Sequence, residues 1–557
     1  IYTLSLHDAL PIYELEVAIG ASFAGARALA TMKHVGLNVA ADPLFTAAYT
    51  GVRGGLVIVT ADDPQMHSSQ NEQDNRNYAF AAKLPMLEPS DPAEARAMMA
   101  TAYRISEEAD APVLFRTTAR LAHVKGVVMP GQRAPVPEPV LEKDPVKQVM
   151  LPARAMKRRQ VMAEKWPRLL ALAESLPENR IESGQGKRGF VCAGVSYNYV
   201  KEAFPDAPVL KLGMVWPLPE RKIRAFAATV DELVVVEELD PFLELHIRAM
   251  GIPCHGKDVI PAIGELNPYL VRRALAPEED VAVFPTPELP PRPPNLCAGC
   301  PHRGIFFVLS RMREVFVSGD IGCYTLGALP PLAAMDACVC MGASITVAHG
   351  MGKALGAAGQ GRLVSVLGDS TFMHSGLTGL LNAVYNRADH TIIILDNRTT
   401  AMTGHQNNPA NGKSIKGAAA PALDLEKLCA AMGVGRVVVV DPHNVPETSR
   451  TLKAEIDSPD LSVVISRAPC VLLPEERRRK KPLYLTQTEK CSGCGLCVQM
   501  NCPAISWTPL QPAEAKARGY REQQKGFACI NTVQCNGCGQ CASVCRFGAI
   551  ILKEGRA

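Results

Sequence analysis

The sequence predicts an α/β protein with parallel sheets flanked by helices, followed by a small cysteine-rich α+β domain at the C-terminus. Short apolar strands such as Leu363–Leu367 and Thr391–Leu395 alternate with helical segments over most of the 557 residues. This alternation is typical of βαβ units. Nine of the 18 cysteines lie between Cys491 and Cys545. That last segment is too short for a conventional core, so we expect a bound metal to hold it together.

Composition limits the class of protein. The chain exceeds the size at which a single core stops growing, about 250–300 residues, so several domains are expected. Hydrophobic residues make up 47%, charged residues 20%, and the formal net charge is only +4, which gives no reason to expect nucleic-acid binding. The basic run Arg477–Lys481 is interpreted as a solvated linker, with docking of an acidic protein partner as the alternative.

Targeting signals are not evident in the sequence. No segment reaches the roughly 20 apolar residues that a membrane-spanning helix needs, and none has the order of a signal peptide, so we predict a cytoplasmic protein without a membrane interaction. The first residues, Ile1–Ile12 (IYTLSLHDALPI), include no Met and resemble translated adapter sequence, so we expect an artefactual leader. In such a large chain the cysteines are expected to bind metal and not to form disulfides.

Three stretches rich in proline and charge divide the remaining chain into four domains. The linkers are expected at 124–154, 284–295 and 469–482. The domains are then expected at 13–123, 155–283, 296–468 and 483–557.

Helices and strands follow in order along these domains. The first domain is expected to contain a small-residue helix, Ala21–Ala30, and a β-branched strand, Gly55–Thr60, which leads into the polar loop Ala61–Arg76. The second and third domains alternate helices with apolar strands. The expected elements are the strands Phe190–Ala193, Val209–Leu212, Glu232–Glu237, Leu363–Leu367 and Thr391–Leu395, and a helix at Tyr199–Ala203.

The C-terminal cysteines form two runs with the spacing of iron–sulfur ligands. Each run has three cysteines separated by two residues and then a fourth, Cys502 in the first run and Cys545 in the second. In two-cluster ferredoxins the fourth cysteine of each run ligates the other cluster, so we expect two 4Fe–4S clusters in a ferredoxin-like domain. The expected ligands are Cys491, Cys494, Cys497 and Cys545 for the first cluster, and Cys535, Cys538, Cys541 and Cys502 for the second.

Two zinc ribbons are the alternative interpretation of these cysteines. Zinc ribbons use CxxC pairs, which do not explain a third cysteine at regular spacing in both runs. The runs differ from those of ferredoxins in the four residues before Cys502 and in Arg546 at the position of a proline, and neither difference removes a ligand. Cys529 lies outside both runs and is expected to pack in the core.

Polar residues follow two apolar strands of the third domain. Gly368-Asp369-Ser370 follows Leu363–Leu367, and Asn397 follows Thr391–Leu395, 28 residues after Asp369. Ligands of parallel α/β sheets bind at the carboxyl ends of strands, and a carboxylate with an amide oxygen suits Mg²⁺. The spacing therefore indicates a site for a diphosphate and its divalent ion.

Longer motifs around these residues resemble a known enzyme family. Four motifs resemble the pyrophosphate-binding domain of the thiamine-dependent 2-oxoacid:ferredoxin oxidoreductases: Asp320–Cys323 (DIGC), Cys340–Ser344 (CMGAS), Gly368–Gly376 (GDSTFMHSG) and Asp396–Gln406 (DNRTTAMTGHQ). Three more resemble, more narrowly, the α subunit of the indolepyruvate:ferredoxin oxidoreductases: Cys297–Arg303 (CAGCPHR), Met32–Asp42 (MKHVGLNVAAD) and Ala61–Arg76 (ADDPQMHSSQNEQDNR). The resemblance runs from about Leu15 to Ile551.

The resemblance implies thiamine diphosphate and Mg²⁺ as cofactors. It makes Asp369 and Asn397 the side-chain ligands of Mg²⁺ and Thr399 a backbone ligand. Other residues expected to face the cofactor are Gly368, Ser370, Cys300, Gly322 and Cys323. Candidates for orienting the substrate carboxylate or moving protons are His302, His374 and His405.

Enzymes of this type also use a glutamate that promotes deprotonation of the thiazolium ring. In the family this residue lies nine positions before the glycine that matches Gly20, and Pro11 occupies that position here. We therefore expect this chain to lack the activating carboxylate. Glu14 and Glu16 are nearby and are expected to be ordinary helix residues.

The resemblance implies oxidative decarboxylation of aryl pyruvates such as indolepyruvate, with coenzyme A as acyl acceptor and an external ferredoxin as electron acceptor. The four domains would be a partial pyrimidine-binding domain, a transketolase C-terminal-like domain, the pyrophosphate-binding domain and the ferredoxin-like domain. A smaller β subunit would complete the enzyme. The cysteine runs disfavour a non-redox thiamine decarboxylase, and the long α/β region disfavours a stand-alone electron carrier.

Overall fold

The computed structural model describes residues 2–3, 11–131, 138–277, 290, 293–414, 416–479, 481–517 and 524–553. The chain forms two compact units, Ile1–Pro287 and Glu288–Ala557, called here the N-terminal unit and the C-terminal unit. Most of the expected leader and most of the expected linker 284–295 lie outside the described residues. Of the helices that the structure describes, none is long and apolar enough to cross a membrane.

The N-terminal unit is built on two sheets. Its strands are β1 (Tyr2–Thr3), β2 (Ala28–Lys33), β3 (Leu56–Asp62), β4 (Met86–Leu87), β5 (Val113–Thr118), β6 (Arg180–Glu182), β7 (Arg188–Ala193), β8 (Val209–Leu212), β9 (Met214–Trp216) and β10 (Glu232–Val236). The larger sheet has the order β1-β2-β3-β5-β4-β9 and is antiparallel only at the β4–β9 pair. The smaller sheet has the order β10-β7-β8-β6 and is antiparallel only at the β6–β8 pair.

Helices cover these two sheets, as expected for parallel strands joined by crossovers. They are α1 (Pro11–Phe23), α2 (His34–Val39), α3 (Ala41–Thr50), α4 (Arg76–Ala82), α5 (Pro92–Ala109), α6 (Ala119–His123), α7 (Pro145–Gln148), α8 (Pro152–Ser175), α9 (Gly194–Ala203), α10 (Glu220–Ala227), α11 (Phe242–Ala249) and α12 (Pro268–Leu275).

One predicted helix in this unit is wrong. The small residues of Ala21–Ala30 favour a helix, but helix α1 ends at Phe23 and strand β2 begins at Ala28. Gly25 takes a positive φ of 89° between them, a conformation that ends helices and favours glycine. Alanine carries little periodic signal, and the pairing of β2 with its neighbours overrides helix propensity.

The C-terminal unit contains one large sheet and two small strand pairs. Its strands are β11 (Phe316–Gly319), β12 (Ala337–Cys338), β13 (Leu363–Gly368), β14 (Thr391–Asp396), β15 (Arg436–Val440), β16 (Ser462–Arg467), β17 (Tyr484–Thr486), β18 (Ile505–Pro509), β19 (Gly526–Ile530) and β20 (Ile550–Leu552). The large sheet has the order β12-β11-β13-β14-β16-β15 and is parallel throughout. The pairs β17–β20 and β18–β19 are antiparallel.

Helices accompany all three sheets of the C-terminal unit. They are α13 (His302–Leu309), α14 (Ser344–Leu355), α15 (Asp369–Thr371), α16 (Leu377–Tyr385), α17 (Leu425–Ala431), α18 (Val445–Ile456), α19 (Pro474–Arg478), α20 (Leu496–Gln499), α21 (Pro512–Ala517) and α22 (Gln540–Ser543). A π-helical turn, Phe372–Gly376, joins α15 to α16.

The central strands of the large sheet are apolar on both faces. Along β14, Ile393 packs into one core cluster while Ile392 and Ile394 pack into another. All six residues of β13 and all six of β14 are buried. This explains why both strands read as continuous apolar runs in the sequence, since parallel sheets are covered on both sides. The predicted α/β fold with parallel sheets is confirmed.

Candidate cofactor and cluster sites

The carboxyl ends of β13 and β14 bring the predicted magnesium ligands to one edge of the sheet. The two strands are parallel neighbours, with Gly368 opposite Leu395. Asp369 directly follows β13, and Asn397 directly follows β14. Both side chains are buried, and Asp369 is only 2% exposed.

Asp369 is held in a setting that disfavours its negative charge until a cation binds. Its Oδ1 accepts the N–H of Ser370 (2.7 Å), and its Oδ2 accepts the N–H of Arg398 (2.9 Å). Burial, and then repulsion from Asp396, raise the pKa of Asp369 to about 7. A divalent cation beside this carboxylate would restore its charged form, so the residues present fit Mg²⁺.

Asn397 is oriented by two neighbours. Its Oδ1 accepts the N–H of Thr399 (3.1 Å), and its Nδ2 lies 3.3 Å from Nε2 of His302. His302 is fully buried, and burial lowers its pKa to about 4. The ring is therefore neutral and accepts the amide hydrogen, which leaves the amide oxygen of Asn397 on the side of Thr399. The structure thus brings His302 to the site.

Asp320, in the DIGC motif, forms hydrogen bonds with the loop of the CMGAS motif. It is fully buried, and its carboxylate accepts the N–H groups of Gly342 (2.7 Å) and Ser344 (3.0 Å). Gly342 has a φ of +92°, and a Cβ there would lie 1.6 Å from Oγ of Ser375. Only glycine fits this close approach. In the sequence, nothing beyond its place in the DIGC motif distinguishes Asp320.

The other predicted residues lie at different depths around this edge. His374 is buried in the π-helical turn, and its Nδ1 lies 2.9 Å from Oγ of Ser375. His405 is exposed, with a φ of +64°. Ser370 Oγ accepts a hydrogen bond from Thr400 (2.9 Å). A Cβ at Gly322 would lie 2.3 Å from the ring of Tyr324, so that position is closely packed.

Four cysteines gather near this edge. Cys297 and Cys470 both lie close enough to Cys300 and to Cys323 to interact electrostatically, and burial raises the pKa of Cys323 to about 11. Sequence reasoning missed Cys470, which no short motif connects to the others. Among the residues that the structure describes, no three His, Cys, Asp or Glu side chains converge to hold a single metal ion, whereas the four thiols around a 4Fe–4S cube each bind a different iron.

The C-terminal cysteines line two separate small cavities. The first cysteine cavity contains Cys491, Cys494, Cys497 and Cys545, and the second cysteine cavity contains Cys502, Cys535, Cys538 and Cys541. Each cavity therefore combines three cysteines of one run with the fourth cysteine of the other run. This exchange of the fourth cysteine is the ligand arrangement of two-cluster ferredoxins.

Tight turns aim these thiols into the cavities. Gly493 and Gly537 occupy the same place in the two runs, with φ of +71° and +75°. A Cβ on Gly537 would lie 2.0 Å from the carbonyl oxygen of Pro482. Burial, with repulsion from the neighbouring cysteines, raises the pKa of Cys497 to about 12 and that of Cys538 to about 11. These thiols are therefore neutral without a bound metal, and a cation in the cavity would favour their thiolate form.

The N-terminal unit contains a buried charge network that the sequence analysis did not identify. Arg116, in β5, donates from Nε to Asp62 Oδ2 (2.7 Å) and from one terminal nitrogen to Glu88 Oε1 (2.5 Å). Arg76 donates to Asp74 (2.9 Å) and to Glu237 (2.6 Å). All six side chains are buried. Asp62, Asp74 and Arg76 lie within the motif Ala61–Arg76. Their partners Glu88, Arg116 and Glu237 lie elsewhere in the sequence, so this motif alone does not indicate the network.

Replacing Arg116 with methionine is expected to destabilise the chain by about 3–5 kcal/mol, because Asp62 and Glu88 would remain as buried charges without their partner. Urea unfolding measures this change. The matched control is Arg120→Met, since Arg120 is half exposed and its pair with Glu265 should contribute at most about 1 kcal/mol. Equal losses in the two variants would contradict the role assigned to the network.

The chain is similar to known proteins, both in one domain and over most of its length. Residues 320–466 match the family described as thiamine pyrophosphate enzyme, C-terminal TPP binding domain. The match includes Asp320, Asp369 and Asn397. The indolepyruvate oxidoreductase subunit IorA of Archaeoglobus fulgidus is 43% identical over 88% of this chain and 82% of the relative. That of Pyrococcus horikoshii is 39% identical over 96% of this chain and 87% of the relative.

A solved structure of 2-oxoglutarate:ferredoxin oxidoreductase from Magnetococcus marinus, with 2-oxoglutarate, coenzyme A and succinyl-CoA bound, is also similar. It is 17% identical, the match covers 48% of this chain and 56% of that chain, and the TM-score is 0.40.

The parallel α/β fold, the matched domain and the oxidoreductase relatives define a thiamine diphosphate-dependent oxidoreductase. Within that class, the chain belongs to the family of indolepyruvate oxidoreductase subunit IorA.

Proposed function

We propose that the chain is the catalytic subunit of an enzyme that oxidatively decarboxylates aryl pyruvates, with indolepyruvate as substrate. In the balanced reaction, indolepyruvate, coenzyme A and two oxidised ferredoxins give indole-3-acetyl-CoA, CO2, two reduced ferredoxins and one proton. The name shared by the relatives supports this substrate and implies a further subunit. We propose a smaller β subunit as that partner and the cytoplasm as the location.

One observation carries the proposal: a single segment, Cys297–Arg303, contacts both the cofactor site and a cysteine cavity. His302 lies against Asn397, while Gly299 and Arg303 line the second cysteine cavity. Gln540, at the start of α22, also donates to the carbonyl of Cys300 (3.1 Å). A redox enzyme needs this proximity between its reaction site and its electron carriers, whereas a non-redox thiamine decarboxylase does not.

The residues present fit the proposed cofactors. When bound, thiamine diphosphate supplies a ring that stabilises the carbanion left by loss of CO2, and 4Fe–4S clusters carry single electrons. The carboxylate of Asp369, the amide oxygen of Asn397 and the carbonyl of Thr399 would hold Mg²⁺. His302 orients the amide of Asn397 through the contact described above. The two cysteine cavities would each hold one cluster.

The proposal predicts methyl viologen reduction by the chain purified anaerobically with its β subunit, dependent on indolepyruvate, coenzyme A and thiamine diphosphate. A Pro11→Glu variant is assayed in parallel, because the activating glutamate of the family is expected at that position. We expect kcat/KM for indolepyruvate to exceed that for 2-oxoglutarate by at least about 100-fold, since a pocket shaped for an aryl group cannot pair a second carboxylate.

Two results would contradict the proposal in different ways. A preference for 2-oxoglutarate would retain the oxidoreductase class and replace the substrate. Absence of reduction with every 2-oxoacid, in both the wild-type chain and Pro11→Glu, would remove the redox function, and release of the aryl acetaldehyde would then indicate a non-redox decarboxylase.

A further inference from the structure

Arg303 is a buried cation whose hydrogen-bond partners are almost all backbone carbonyls. The side chain is 1% exposed. Nε donates to the carbonyl of Cys297 (3.0 Å), and one terminal nitrogen donates to the carbonyl of Met500 (3.0 Å). Further bonds reach the carbonyls of Leu296 and Asn501 and the side-chain oxygen of Asn295.

These acceptors are all neutral, so they do not balance the charge of the guanidinium. None of the carboxylates that the structure describes forms an ion pair with Arg303. Among the side chains that line a cavity with Arg303, the four cysteines Cys502, Cys535, Cys538 and Cys541 become negatively charged when they ligate iron. A buried charge is costly unless an opposite charge lies nearby. The negative charge that balances Arg303 must therefore come from these cysteines.

The cysteines that can provide this negative charge lie in the second cysteine cavity. Arg303 lines it together with Cys502 and Cys538. An iron–sulfur cube held by four thiolates carries a net negative charge, and reduction adds one more. A guanidinium fixed against such a cluster stabilises the reduced form more than the oxidised form.

The first cysteine cavity has a different environment. Its described lining consists of the four cysteines and nine uncharged residues. The two cavities thus match in their cysteines and differ in one buried positive charge. Cluster potentials depend on nearby charge as well as on hydrogen bonds to the sulfurs.

We propose that Arg303 is the fixed counter-charge of the cluster in the second cysteine cavity, and that it raises the reduction potential of this cluster above that of the other. This inference rests on the proposed function, because it requires both clusters. Arg303 is not a catalytic residue: it places a fixed positive charge beside the cluster and does not contact the substrate. The first electron that leaves the cofactor site therefore rests in the second cysteine cavity, which is the cavity contacted by Cys297–Arg303.

The test is a redox titration followed by EPR on anaerobically purified protein with its β subunit. The variant Arg303→Gln should lower the midpoint potential of one cluster signal by the equivalent of at least a tenfold change in its reduction equilibrium, about 59 mV for one electron. The other signal should not move. Arg303→Lys should shift the same signal by less, because it keeps the charge.

Arg311→Gln is the matched control. Arg311 also contacts the cysteine-rich domain, through Gln499 Oε1 (2.7 Å), but it is exposed and lines neither cavity. It should leave both potentials unchanged. The variant Cys502→Ser identifies which signal belongs to the second cysteine cavity, since that signal should be the one missing.

The outcomes separate this inference from the proposed function. Iron and sulfide analysis showing fewer than two clusters in the wild type would reject the proposed clusters. Two intact clusters with no shift in Arg303→Gln, or with equal shifts of both signals, would overturn the role of Arg303. If Arg303→Gln does not assemble, wild-type protein containing arginine labelled with ¹⁵N in the guanidinium alone decides by pulsed EPR: ¹⁵N coupling in the signal of the second cysteine cavity supports the inference, and its absence from that signal contradicts it.

Discussion

Replacing Asp369 with asparagine should abolish Mg²⁺-dependent binding of thiamine diphosphate and also make the cofactor-free chain more stable. The first effect follows because an amide oxygen is a much weaker ligand of Mg²⁺ than a carboxylate. The second follows because the folded chain buries this carboxylate beside Asp396. Asparagine has nearly the same shape and carries no charge, although its amide nitrogen cannot accept one of the two N–H bonds that Asp369 accepts, which offsets part of the gain. We expect the affinity for the cofactor to fall by at least about 100-fold.

The pH dependence of this stability has a definite sign. The pKa of Asp369 rises from its ordinary value of 3.8 to about 7 in the folded chain. The folded state therefore retains its full stability below about pH 4, where the group is protonated in both states, and loses it as the pH rises towards 7. At pH 8 the penalty is on the order of 4 kcal/mol, and Asp369→Asn should remove part of it.

Calorimetric unfolding of the cofactor-free protein at pH 5 and pH 8, with titration of thiamine diphosphate in the presence of Mg²⁺, measures both effects. Asp460→Asn is the matched control, since Asp460 is an exposed aspartate of the same unit and should change neither quantity. If Asp369→Asn bound the cofactor normally, the assignment of Asp369 as a ligand of Mg²⁺ would be wrong. If it were less stable than the wild type at pH 8, the electrostatic argument would be wrong.

The strands that position this site were predictable from the sequence, and the reason is their burial. The strands β13 and β14 are covered on both faces, so they appear as continuous apolar runs, and the polar residues that follow them stand out. The two cysteine runs were equally easy to recognise in the sequence, because the spacing of ligands within a tight turn is a local property. The sequence therefore predicted which residues come together, Asp369 with Asn397 at the sheet edge and four cysteines in each cavity, while their roles as ligands stay predictions.

The features that sequence reasoning missed depend on contacts between distant residues. Arg303 bonds to the carbonyl of Met500, 197 positions away, and Arg76 bonds to Glu237, 161 positions away. A buried arginine carries no sequence signal that distinguishes it from an exposed one. Cys470 likewise follows a strand in an ordinary context and gains its cysteine neighbours only through the fold.

The fourth cysteine of each run lies in the cavity of the other run, and substitution of one cysteine at a time tests this arrangement. Cys502 follows Cys497 in the first run, but it lies in the second cysteine cavity with Cys538. Cys502→Ser should therefore lose the cluster of the Cys535–Cys541 run, and iron should fall from about eight to about four atoms per chain. Its EPR spectrum after reduction should match that of Cys538→Ser and differ from that of Cys491→Ser.

Cys529 provides the control that makes this test specific. It lies in β19 of the same small domain, belongs to neither cavity lining, and its Sγ is 3.4 Å from Oγ1 of Thr508. Cys529→Ser should keep both clusters, because serine preserves the size of the side chain and removes no ligand. If Cys502→Ser instead matched Cys491→Ser, each run would ligate its own cluster. The electron would then leave the cofactor site towards a cluster without Cys502, and the charge of Arg303 would face a different ligand set.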